Sequence, residues 1–219
     1  MMLNQVVFQY ASWEELPGDY QAFYIQLMDN QYQKGRAFFE LYFYWYNVAH
    51  EMCHVLRKHY GSTAESRWVD ENAVTEFAVA YWREFGEHVR LDQLEECLHQ
   101  SVRLLPNPIP PGMEPGPYFD ANYEVLSTNP PEHGYLQFSW ILASLERKTD
   151  LYGVLQKVVT PAAQRAAPAD PRFYPDIDVD LPLAIIPDMR GMLAGYDVLL
   201  PPVQILRRFS PSIQLVGFG

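Results

Sequence analysis

From about Asp19 to Gln100 the apolar positions recur at helical intervals, interrupted by few breakers, among them Gly35, Gly61 and Gly86. That periodicity predicts a helical half of the chain. One predicted helix covers about Arg36 to Tyr60 and stops at Gly61, a residue type suited to a helix C-terminus. Its first part, Leu41-Tyr42-Phe43-Tyr44-Trp45-Tyr46, is apolar all round, which predicts burial on most of its surface. A second helix is predicted from about Trp68 to Phe85, with Val69, Ala73, Phe77, Ala80 and Tyr81 on one stripe. A third covers Leu91 to Leu104.

After Leu105 the pattern changes. Pro106, Pro108, Pro110, Pro111, Pro115 and Pro117 fall within twelve residues and predict a loop, because proline lacks the donor that helices and central strands need. Helical spacing returns from Gly134 to about Arg147 and from Asp150 to Val159. Beyond Thr160 stand nine of the chain's 18 prolines, with short extended runs such as Leu183–Ile186 and Val203–Leu206. The pattern therefore divides into a domain over 1–159 and a proline-rich extended segment over 160–219 that packs on the domain or reaches a neighbour.

Composition narrows the function classes. In 219 residues, 48% are apolar and 15% aromatic, enough to build a packed core. The formal charge of −11, with no cluster of Lys and Arg, supplies no footprint for a phosphate backbone, so nucleic acid is not expected as partner. No stretch approaches roughly 18 uncharged apolar residues and the start has no basic-then-apolar leader pattern, so neither a membrane nor export is expected. Two cysteines, Cys53 and Cys97, fit a reducing, cytoplasmic setting.

The residues that carry chemistry are His50-Glu51-Met52-Cys53-His54, an H-E-x-x-H motif well inside a predicted helix. A separation of four places both imidazoles on one face, one turn apart, where their nitrogens can share a metal ion. Chance would produce the motif in about one chain in a hundred of this composition. Zinc suits two neutral nitrogens plus a carboxylate, with a fourth position left for water. Glu51 lies beside the pair, where it can take a proton from that water and pass it to a leaving amine. The expected reaction is hydrolysis of an amide, and the expected partner a peptide or protein substrate. A third ligand is needed, and Trp68-Val69-Asp70-Glu71-Asn72-Ala73, at the start of the next helix, supplies a carboxylate.

Trp68-x-x-Glu71 after H-E-x-x-H resembles the corresponding element of gluzincin metallopeptidases, the peptidase MA-like and aminopeptidase N-like groups. The resemblance implies that Glu71 is the third zinc ligand. Glu71 followed by Phe77-Ala78 is also similar to ImmA/IrrE-type metallopeptidases, which implies the same assignment. A weaker likeness continues through Tyr135–Trp140 to Leu151-Tyr152-Gly153. Together these imply an α+β, predominantly helical, zincin-like domain with a reduced sheet. Where aminopeptidases carry a catalytic tyrosine, this chain reads Pro131-Glu132-His133-Gly134, and Asn72 stands for the family's glycine. His133 and Tyr135 are then the nearest candidates to stabilise a developing oxyanion.

Plainer readings stand beside these. Glu71 alone reads as a solvated first-turn glutamate favoured by the helix dipole. Glu76 is a reserve ligand or a solvated residue. Glu51-x-x-His54 together with Glu96-x-x-His99 repeats the E-x-x-H spacing of di-iron carboxylate bundles, with Glu40 and Glu71 or Glu76 as bridges. A noncatalytic zinc-binding scaffold that uses the 160–219 segment as its contact surface is the remaining alternative.

Overall fold

The computed structural model describes residues 6–59, 64–158 and 203–207. The architecture is predominantly helical. A short strand β1, Val6–Tyr10, precedes α1, Gly18–Leu27, and α2, Tyr32–Glu40. The chain then winds through a π-helical segment, Leu41–Tyr46, directly into α3, Asn47–His59. Next come α4, Arg67–Glu84, α5, His88–Leu104, α6, Pro115–Leu126, α7, Pro130–Arg147, and α8, Leu151–Val158. Strand β2, Val203–Arg207, pairs in parallel with β1, Val6 opposite Val203. Of the expected C-terminal segment only that strand is described; Leu183–Ile186 and the rest of 159–202 and 208–219 lie outside the described residues. None of the helices among the described residues is long and apolar enough to cross a membrane.

α4 is the central rod, packed against α3, α5, α6, α7 and α8. The single stripe expected for it is not what forms: Val74 through Trp82 are buried without interruption, whereas Val69 is 43% exposed. Neighbours on every side explain this, since a helix surrounded by other helices loses its solvent face. Trp82 stacks on Trp45 of the π segment, with centroids 4.6 Å apart, and Arg83 donates to the carbonyls of Leu145 and Thr149 at the end of α7. Each such side chain taken fully from water contributes roughly 1.5–3 kcal/mol.

Two predicted boundaries shift for local reasons. The proline stretch ends sooner than expected, because Pro115 and Pro117 occupy the first turn of α6, where a missing N–H costs nothing. α7 starts at Pro130 rather than Gly134, capped by Asn129, whose side chain accepts the amide of Glu132 at 3.4 Å. A smaller cluster of Phe119, Tyr123, Leu126, Leu136 and Trp140 joins α6 to α7 and receives Trp68 from the head of α4. Trp68 is held there twice, by its ring against Trp140 at 4.8 Å and by its amide donating to Asp120 at 2.9 Å.

Gly35 does not break the helix; it lies inside α2 where α1 passes closest. A Cβ at that position would meet the backbone of Ile25 at 2.7 and 2.8 Å and the carbonyl of Tyr24 at 2.9 Å. The obstruction is main chain, so the two helices must part to admit even a methyl. Gly35→Ala is therefore expected to destabilise the fold by about 1–2 kcal/mol despite alanine's better helix propensity. Urea denaturation measures this, and an unchanged midpoint would contradict the close packing.

Candidate metal centre

α3 carries His50 and His54 on one face, their ring centroids 5.0 Å apart. α4 crosses that face and presents Glu71. Nε2 of His50 lies 3.4 Å from Oε2 of Glu71, and Nε2 of His54 lies 3.6 Å from Oε1. These separations exceed an ordinary N–H···O bond of about 2.7–3.2 Å. Each runs to a different Glu71 oxygen, and each is close to the roughly 3.3–3.6 Å between two donors that lie about 2.0–2.2 Å from a shared ion, the bond lengths of zinc with nitrogen and oxygen. The donor atoms of all three residues lie within 4.8 Å of one another. Two imidazoles and one carboxylate are thus a fitting donor set for a divalent cation of the zinc type.

The far sides of these side chains are also organised. Nδ1 of His54 faces Oδ2 of Asp70 at 3.1 Å, and Asp70 in turn pairs with Nε of Arg57 at 2.7 Å. Nδ1 of His50 meets Oγ1 of Thr75 at 3.5 Å. Gln137 of α7 donates to Oε2 of Glu71 at 3.4 Å, and its own carbonyl oxygen faces the Tyr42 hydroxyl at 3.5 Å. Each imidazole of α3 therefore has Nδ1 engaged by a side chain of α4 and Nε2 turned toward Glu71, an arrangement that orients metal-ligating histidines.

Electrostatics follow from burial and from these pairs. Burial pushes the Glu51 carboxyl above its ordinary value; the nearby His50 and His54 oppose that rise, and an amide hydrogen bond from Asn47 at 3.2 Å opposes it too. Burial also works against ionised Glu71, but the His50, His54 and His133 imidazoles outweigh it and hold the carboxyl below its ordinary value. For His54, burial lowers the pKa, and the Asp70 bond with the surrounding carboxylates more than reverses it. His133 is lowered, chiefly by burial.

Glu51 and His133 share a cavity of about 110 Å³ with His50 and Glu71. Nδ1 of His133 is buried there without a hydrogen-bond partner among the described residues. Tyr135 is not brought to the site. Two helical positions from His133, it points away and packs between the main core and the smaller cluster. Glu76 is neither ligand nor solvated: it is buried, accepts the Thr149 hydroxyl and pairs with Lys157 at 3.3 Å, tying α4 to α8. Among the described residues the converging donor group consists of His50, His54 and Glu71, without Glu40, Glu96 or His99. Glu40 is taken by Arg36 at 2.9 Å and exposed His99 lies 3.8 Å from Glu95, so the second E-x-x-H lacks the partners a di-iron site requires.

Sequence reasoning missed Asn47, Asp70, Thr75 and Gln137. Asn47 precedes Glu51 by one helical turn and Asp70 adjoins Glu71, so spacing offered a signal for both. Gln137 offered none, because its contact depends on where α7 crosses. No family model, curated protein or solved structure matches the chain.

Asp70→Asn keeps the size of the side chain and removes the charge that orients His54. Metal affinity is expected to fall by about 10- to 100-fold. A competition titration with a chromogenic chelator reads the change directly, and unaltered affinity would show that His54 needs no such support.

Proposed function

We propose that this protein is a zinc-dependent hydrolase of peptide bonds, of the gluzincin type that its motif resembles. His50, His54 and Glu71 would hold the ion. The observation that carries the reading is the pair of His–Glu separations, 3.4 and 3.6 Å, with Glu51 placed in the adjoining cavity rather than among the ligands. Zinc held there would supply a Lewis acid and would lower the pKa of a water to about 7.

The chain's own residues then divide the work. Glu51 takes the proton of the attacking water and delivers it to the departing amine. Its raised pKa suits both halves of that task, because a carboxylate that is too acidic accepts a proton poorly. The Asn47 amide fixes the Glu51 oxygen by a hydrogen bond one turn upstream. Burial disfavours the charged form of the His133 imidazole, and its Nδ1 has no hydrogen-bond partner among the described residues; this ring would meet the substrate carbonyl oxygen as charge builds on it. The aromatic residues of the π segment exclude water from one side and strengthen these interactions.

Elemental analysis of the zinc-supplemented protein is expected to give about one zinc per chain. Glu51→Gln should retain the zinc and the fold while hydrolysis of a peptide substrate falls by about 10²- to 10⁴-fold. His54→Ala should lose the zinc. Full hydrolysis by the glutamine variant would remove Glu51 from the chemistry, and a zinc-loaded protein that cuts no peptide would leave the ion a structural role.

A further inference from the structure

The cavity beside the triad has a composition of its own. Tyr20, Phe23 and Tyr24 of α1, Tyr42 and Phe43 of the π segment, and Phe138 of α7 form its walls. Its polar end is the His50, Glu51 and Glu71 group. No Lys or Arg lines it among the described residues, so an acidic side chain seated against the aromatic walls, away from the metal end, would have no basic side chain to pair with. An ammonium group would lose its hydration against aromatic walls, which is costly without a close partner. Asn47 is engaged with Glu51, and Gln137 with Glu71 and Tyr42, so neither amide is free to receive a charged group. The volume, about 110 Å³, approaches the roughly 150 Å³ apolar cavity that admits benzene.

We propose that this cavity receives a bulky, uncharged apolar side chain of a polypeptide, of leucine to phenylalanine size, adjacent to the bond that is cut, and that the site does not engage a free C-terminal carboxylate. The proposal rests on the hydrolase reading for the cut itself, but the pocket's preference is a binding property that stands or falls separately. An apolar side chain gains from burial against six aromatic rings, and it positions the neighbouring carbonyl toward the metal end and Glu51. An internal segment of a chain meets these requirements, because it brings a large side chain without a terminal charge.

The test uses full-length protein and N-acetylated, C-amidated hexapeptides that differ at one central position: Leu, Phe, Ala, Asp or Lys. Cleavage is followed on the zinc-loaded protein, and binding by calorimetry on the zinc-loaded Glu51→Gln variant. Leu and Phe peptides are expected to exceed Ala by about tenfold or more in both assays, and Asp and Lys by about 100-fold. Phe23 is half-buried, so its replacement leaves the core in place, with circular dichroism and zinc content as the check. Phe23→Ala should flatten the preference, and Phe23→Lys should raise the relative binding of the Asp peptide. Equal treatment of all five peptides overturns the proposal, as does a preference unmoved by both Phe23 variants or a tenfold gain from a free C-terminal carboxylate. Selective binding without cleavage supports the pocket and overturns the hydrolase reading instead; cleavage without selectivity does the reverse.

Discussion

One carboxylate placed against two imidazoles governs the site. Glu71 is nearly excluded from solvent, and burying a charged carboxylate is unfavourable unless partners replace its lost hydration. The fold provides them on every side: His50 and His54 across from it and Gln137 from α7. Asp70 is placed outward, toward His54 and Arg57. Adjacent acidic residues on one helix thus serve opposite sides of the same imidazole, one facing Nε2 and the other holding Nδ1. This division explains why burial depresses neither group's ionisation in the end. Both carboxyls sit below their ordinary values, because the imidazoles beside them offset desolvation.

Holding Glu71 within this distance is a problem of helix placement, and the smaller apolar cluster solves it. α4 enters the domain at Arg67, and its first turn would fray if nothing fixed it. Ser66 caps it through the Val69 amide at 3.3 Å, and the Trp68 ring is pressed into the cluster formed by α6 and α7. Gly116 makes room for that ring: a Cβ there would come within 2.9 Å of Trp68 Cδ1. The tryptophan of the Trp-x-x-Glu element therefore acts as an anchor, and the glutamate one turn later inherits its position. α7 contributes twice, burying Trp140 against Trp68 on one side and presenting His133 and Gln137 to the cavity on the other.

How far the amino-acid pattern reveals this depends on whether a feature is local. H-E-x-x-H is local, since helical spacing alone brings two imidazoles to one face, and the structure keeps them there. The helices over Trp68–Phe85 and Leu91–Leu104 also follow from local spacing, to within a few residues of the observed α4 and α5. α6 was hidden by its own prolines, which read as a loop until their placement in a first turn is known. Gln137 and the burial of Glu76 are products of tertiary packing, since each side chain meets partners more than sixty residues away. Tyr135 illustrates the reverse error: proximity in sequence to His133 does not survive the 200° rotation between positions two apart on a helix.

The π-helical segment is the clearest case of structure that the pattern conceals. Leu41–Tyr46 is apolar at every position, so it carries no phase from which its winding can be read. The winding nevertheless decides what faces the His50, His54 and Glu71 group. In a regular α-helix, Tyr42 and His50 are eight residues apart and differ by about 80° around the axis. A π turn holds more residues, so each advances by a smaller angle and Tyr42 is carried back toward the face of His50. Both Tyr42 and Phe43 then line the cavity together with His50 and Glu51, and the Tyr42 hydroxyl reaches Gln137. With ordinary winding the aromatic wall and the ligand pair would diverge along one continuous helix. The wider turn, placed immediately before α3, is what allows one stretch of chain to supply the apolar wall, the hydrogen-bonded Asn47 and the two imidazoles.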